Sequence, residues 1–95
     1  MSVYAQFGED GPQVQVASNA GWSEFTAWVD RLPTRALGQL IDNGITEDLY
    51  GLAKELEAAR GIRQNEDVRD IAEGLIKAVK ENQAHGVVLL TNGTQ

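Results

Sequence analysis

Few residues in this chain are of types that do chemistry, and their spacing limits what that chemistry is. His85 is the single histidine. An imidazole with an unperturbed pKa near 6.5 suits a general base or a metal ligand. There is no second histidine and no cysteine, so a metal bound there would need carboxylates for its other ligands. The simpler reading of His85 is a helix C-terminal residue whose cation suits the helix dipole. Two carboxylate groups, Glu47-Asp48 and Glu66-Asp67 with Asp70, have the makeup of acid–base pairs. Each falls where a helix is expected to begin, and acids stabilise a first turn without any further role. Nothing in their spacing brings them into a common cleft.

Arg60, Arg63 and Arg69 bracket one interhelix connection. With Gly61 and the N-terminus of the following helix they compose a candidate anion site. Glu66, Asp67 and Asp70 share that terminus and compete for the same guanidinium groups. The stretch Asp42-Asn43-Gly44-Ile45-Thr46-Glu47-Asp48 superficially suggests a calcium loop, but counting from Asp42 puts Gly44 third, Glu47 sixth and Ala53 twelfth. An EF-hand needs an oxygen ligand, a glycine and a glutamate at those places. No Gly-rich phosphate loop and no nucleophile elbow occurs. Asn92-Gly93-Thr94 matches a glycosylation acceptor but reads more simply as a turn. No cofactor is expected.

Trp22 and Trp28 are the candidate interface residues. Five of the six aromatics lie within the first 28 residues, and aromatics anchor interfaces as readily as they fill cores. The same part of the chain is the acidic part. Residues 1–50 carry seven acids against two bases, whereas residues 51–95 carry seven against six. An aromatic patch in an acidic setting suits a basic protein partner.

The elements that position these residues follow from periodicity. Val3, Ala5 and Phe7 alternate with polar residues, as do Val14 and Val16, with Gly8-Glu9-Asp10-Gly11-Pro12 between them. This predicts a β-hairpin over residues 2–18. Trp22, Phe25, Trp28, Val29 and Leu32 fall within one arc of about 120° on a helix, capped by Ser23 and ended by Pro33. A second helix is expected from a Thr34 cap to Asn43-Gly44, with Leu37, Leu40 and Ile41 inward. A third begins at a Thr46 cap, with Ile45 stapled on Tyr50, and stops at Gly61. A fourth runs from an Asn65 cap with Val68, Ile71, Ala72, Leu75, Ile76 and Val79 inward. Gly74 interrupts it at a cost of about 1 kcal/mol relative to alanine unless a neighbour packs closely there. The run Val87 to Thr91 is a strand, and its nearest partner is the hairpin. The fold class is therefore α+β in the order ββααααβ, with four helices on one face of a three-stranded sheet.

Size and charge set the functional classes. A chain of 95 residues is expected to form one domain spanning residues 1–95. A net charge of −6 argues against a nucleic-acid binder, which needs clustered bases to displace counterions, and against anionic membranes. No apolar run approaches the roughly 18 residues of a membrane span. Residues 1–10 lack the basic and apolar regions of a signal peptide, so the expected location is the cytoplasm. The leading expectation is a non-enzymatic protein-interaction module: an adaptor, inhibitor or regulatory subunit. The alternative is a structural homo-oligomer, in its simplest form a homodimer, pairing through Val87–Leu90. A small ligand-binding protein or enzyme using His85 comes third.

Overall fold

A computed structural model describes residues 2–62 and 66–93. The elements run β1 (Ser2–Phe7), β2 (Gln13–Ser18), α1 (Asn19–Val29), α2 (Ala36–Asn43), β3 (Ile45–Thr46), α3 (Leu49–Arg60), α4 (Glu66–Glu81), a 3-10 turn (Gln83–His85) and β4 (Val88–Gly93). The class is α+β, with the expected hairpin, helices and C-terminal strand. The strands form one antiparallel sheet in the order β2-β1-β4-β3.

Alternation along β1 decides which face of the sheet is covered. Val3, Ala5 and Phe7 are buried, and Ala5 and Phe7 stand opposite Leu90 and Val88 of β4. The helices pack on this face. Phe25 and Val29 of α1, Leu37 and Leu40 of α2, and Leu52 and Leu56 of α3 join the same core. Helix α4 contributes the widest stripe, Val68, Ile71, Ala72, Leu75, Ile76, Ala78 and Val79, and the polar residues between them face water. In β2 a bulge sets Val16 outside the simple register, so that Val3 stands opposite Ala17 and Tyr4 opposite Gln15. The extra residue lets Val14, Val16 and Ala17 all pack against the core.

The sheet has one strand more than the sequence analysis expected. Ile45 and Thr46 pair with Leu89 and Val88, and Leu90 N–H donates to the Gly44 carbonyl at 2.8 Å. From Val88 to Leu90, β4 is thus flanked on both sides, by β1 and by the β3 segment. A second copy could pair along this stretch only by displacing β1 or the β3 segment. The strand also ends the expected staple. Ile45 lies on the open sheet face, while Tyr50 is 64% exposed beneath the Lys54 ammonium, which lies 4.7 Å from its ring centre.

Three helix caps differ from expectation. Ser18, not Ser23, caps α1 by accepting from Gly21 N–H at 3.1 Å, so Asn19-Ala20-Gly21 is a first turn and not a loop. Asp48, not Thr46, caps α3 by accepting from Gly51 N–H at 2.8 Å. Thr46 is instead buried, where its hydroxyl lies 3.2 Å from the Gln39 side-chain oxygen and accepts from Asp48 N–H at 3.3 Å. The expected Asn65 cap lies outside the described residues. Gly44 stops α2 at φ 77°, a left-handed conformation that favours glycine.

The start of α2 has no local cap. Neither Thr34 nor Arg35 provides one. Glu55, from the middle of α3, supplies it: Oε1 accepts from Arg35 N–H at 2.9 Å and Leu37 N–H at 3.0 Å, and Oε2 accepts from Ala36 N–H at 2.9 Å. A carboxylate there also meets the positive end of the α2 dipole.

Two stability predictions follow from these contacts. Replacing Glu55 with alanine leaves three helix-terminal donors to water and is expected to cost about 2 kcal/mol in urea unfolding. Glu55→Gln should recover less than half of that, because its amide nitrogen would face N–H donors; full recovery would discount the carboxylate. At Gly74 a Cβ would meet nothing within 4 Å. Gly74→Ala is therefore expected to stabilise the protein by about 1 kcal/mol, and a lower midpoint would contradict this.

Candidate functional site

The hairpin turn and His85 form one unit. Gly8 adopts φ 67° and donates its N–H to the Val87 carbonyl at 2.9 Å. The Gln6 amide nitrogen donates to the carbonyl oxygens of Gly8 and Gly11 at 3.0 and 2.8 Å. A Cβ on Gly11 would lie 1.7 Å from the Phe7 carbonyl oxygen, so no other residue fits this backbone. His85 packs over the turn, its Cδ2 3.1 Å from the same Cβ position. The imidazole thus covers two glycines at the end of the 3-10 turn. No group of three or more metal-ligating side chains occurs among the described residues.

Four of the carboxylates read from the sequence, Glu47, Asp48, Asp67 and Asp70, line two open clefts on other elements, whereas Glu66 is exposed in the first turn of α4 and lines neither. One, of about 430 Å³, lies between the start of α1 and the start of α4 and brings Asp67 and Asp70 beside Glu24, next to Ala17 and Ser18 at the end of β2. Among the described residues none of these three acids is in an ion pair. Glu24 was not singled out from sequence, because it reaches Asp67 and Asp70 only through the packing of α1 on α4. At that contact Gly21 lets the Ile71 side chain approach to 3.4 Å from where a Cβ would be. The second cleft, of about 510 Å³, holds Glu47 and Asp48 with Arg35, Gln39, Ile45 and Thr46. Asp48 is already committed to its cap.

Trp22 and Trp28 flank the fully buried Phe25. The Trp22 ring stacks on Phe25 at 5.2 Å between centroids, and Phe25 meets Trp28 at 6.0 Å. Both tryptophans are half-buried and packed against the core. Trp22 also lines a cleft of about 350 Å³ with Val3, Ile41, Asp42 and Leu90. Among the described residues the exposed large apolar side chains are Ile45, Tyr50 and Ile62. Ile62 borders a small apolar hollow of about 130 Å³ with Leu32, Pro33 and Ala58.

Of the expected anion site, Arg63 lies outside the described residues. Arg60 closes α3 and Arg69 is exposed on α4. Lys80 of α4 forms an ion pair with Glu57 of α3.

The solvent face of the sheet is the other extended surface. Strand alternation and register put Ser2, Tyr4 and Gln6 of β1, Gln13 and Gln15 of β2, Ile45 of β3, and Leu89 and Thr91 of β4 on it. Side-chain bonds cross this face: Gln13 donates to the Thr91 hydroxyl at 3.0 Å and Gln15 to the Ser2 hydroxyl at 3.1 Å. None of the four strands contains an acidic or basic residue. Among the described residues, every charged side chain therefore lies on a helix, turn or loop. No helix among the described residues is long and apolar enough to cross a membrane. Comparison of the chain with protein-family models, with curated proteins and with solved structures finds no match.

The Glu57–Lys80 pair makes one pH prediction. Its hydrogen bond from Lys80 and the charge of that ammonium, with Arg60 adding to them, hold the Glu57 carboxyl below the ordinary carboxylate range. The folded value lies below the unfolded one, so the contribution is fully present above the unfolded range and is lost as pH falls through the lowered value. The difference in Tm between the protein and Glu57→Gln is expected to be small at about pH 7, as for exposed pairs generally, and to vanish at about pH 2. A difference that grows in acid would contradict the assignment.

Proposed function

We propose that the protein is a non-enzymatic protein-interaction module that meets its partner through the open face of the sheet. The observation that carries this reading is the partition of charge. The open face has no ionised side chain, although the chain carries a net charge of −6. Protein interfaces are commonly depleted of charge at the centre and polar at the rim. Tyr4, Leu89 and Ile45 supply apolar area on this face, and Gln6, Gln13, Gln15 and Thr91 surround it with uncharged polar groups. The acidic helices and turns beyond it favour a partner whose own rim is basic, since like charges across an interface are costly. His85, packed over the hairpin turn, and the carboxylates in separate clefts do not converge on one reacting position, which favours binding over catalysis.

The test is capture of interacting proteins by the full chain, followed by titration of the purified partner. Leu89→Lys with Thr91→Lys places two cations at the centre of the open face. Affinity is expected to fall at least about tenfold while the double variant still unfolds cooperatively within about 5 °C of the parent. Raising salt should weaken the complex. A partner that binds the double variant as tightly as the parent, or that is indifferent to salt, would overturn the reading.

A further inference from the structure

The sheet has a free edge as well as a free face, and the two meet at β2. Strand β2 is the outermost strand. The bond from Phe7 N–H to the Pro12 carbonyl sets the alternation of the β1–β2 ladder. Ala5 and Val14 are the next pair to exchange bonds with each other, and Gln13 and Gln15 direct their N–H and C=O groups away from β1. Among the described residues nothing accepts from or donates to those outward groups. Natural sheets commonly protect such an edge with charge or proline. Here the strand reads Gln-Val-Gln-Val-Ala-Ser, with neither, and its one irregularity, the bulge at Val16, confines regular pairing to its first half. The strand ends at Ala17 and Ser18, on the cleft that holds Glu24, Asp67 and Asp70.

We propose that β2 receives an extended segment of a partner protein as an added antiparallel strand. The segment pairs with the backbone of Gln13 and Gln15, and a lysine or arginine preceding its paired residues enters the cleft of Glu24, Asp67 and Asp70. This rests on the interaction reading above and names the edge and the chemistry of the occupant. Strand addition draws its affinity from main-chain hydrogen bonds and its selectivity from flanking pockets. The edge offers two residues' worth of outward donors and acceptors, and the cleft offers an electrostatic anchor at one end only. That asymmetry sets where the cation stands: an antiparallel segment passes the cleft before it reaches Gln15. A second copy of this chain is the poorer occupant. Antiparallel pairing of two β2 strands would bring the turn residues Glu9 and Asp10 of each copy toward the acids of the other, and parallel pairing would set cleft beside cleft.

The experiment uses two synthetic peptides of ten residues, each alternating valine and threonine. One begins with a Lys-Lys pair and the other carries the pair at its C-terminal end. Binding to the ¹⁵N-labelled full chain is followed by amide chemical shifts. The first peptide is expected to bind with a Kd below about 1 mM at low salt and to shift the Gln13 and Gln15 amides, and the second to bind about tenfold more weakly. Gln15→Pro removes an outward donor while leaving the β1 ladder intact, and it should abolish these shifts with a dispersed, folded spectrum retained. Should that variant fail to fold, Glu24→Gln with Asp70→Asn serves instead, with an expected loss of about tenfold. Equal binding of both peptides, binding undiminished in a folded Gln15→Pro or in the neutralised variant, no binding by either peptide, or self-association that already occupies the Gln13 and Gln15 amides would each overturn the proposal. A natural partner lost with Leu89→Lys and Thr91→Lys but retained by Gln15→Pro would leave the interaction reading standing and remove the strand.

Discussion

The carboxylate of Glu55 on the first turn of α2 is the contact on which the arrangement of this chain turns. Helix α2 is short, eight residues from Ala36 to Asn43, and an isolated helix of that length does not persist in water. It has no residue at its own N-terminus that accepts from its free donors. Glu55 satisfies three of them at once and so joins the start of α2 to the middle of α3. The clamp and the buried Leu37 and Leu40 hold the helix at a defined angle, and its end then delivers Gly44 to the sheet. There the Gly44 carbonyl accepts from Leu90 N–H, Ile45 and Thr46 add to β4, and the Thr46 hydroxyl meets the start of α3. One ionised side chain thereby orients a helix, an edge strand and the cap that follows.

Charge is distributed to suit this plan. The four strands are neutral, and the acids and bases among the described residues stand on the helices and in the turns, Glu55 alone being turned onto the start of a neighbouring helix. A sheet covered on one side and open on the other usually alternates apolar with polar residues, because the polar set faces water. Here the water-facing set is glutamine, serine, threonine, tyrosine, leucine and isoleucine. Two side-chain bonds, from Gln13 to Thr91 and from Gln15 to Ser2, run across strands and organise the face without ionised groups.

Much of the fold was legible because its signals are local. The alternation of Val3, Ala5 and Phe7 and the glycine- and proline-rich turn specify a hairpin within one short window. The stripe from Val68 to Val79 specifies α4, and Gly44 and Gly61 specify helix ends. The differences arise where a nearby alternative of the same chemistry existed or where the deciding partner was distant. Ser18 and Ser23 are both competent caps, and the choice of Ser18 lets Phe25 reach the core while Ala17 remains in β2. Thr34 stands where a cap belongs, yet the acceptor is Glu55, whose role cannot be seen without the packing of α3 on α2. Ile45 and Thr46 are too few to announce a strand, and only the adjacent β4 makes them one. The cleft of Glu24, Asp67 and Asp70 is of the same kind: the sequence shows helix-start acids, and the α1–α4 contact sets them around one cleft.

The inner pair of the sheet has a consequence for how the chain reaches this state. β1, near one end of the sequence, lies hydrogen-bonded against β4, near the other, with Ser2 opposite Gly93 and Phe7 opposite Val88. The hairpin and each helix can form from neighbouring residues, but this ladder closes a loop containing all of them. Such closure has an entropic cost that local contacts do not share, and topologies rich in distant pairs fold slowly for their size. Until Val88–Gly93 docks, β1 presents its inner side unpaired and β3 has no strand to join. The sheet is thus completed from its middle, by the last segment of the described chain to be made.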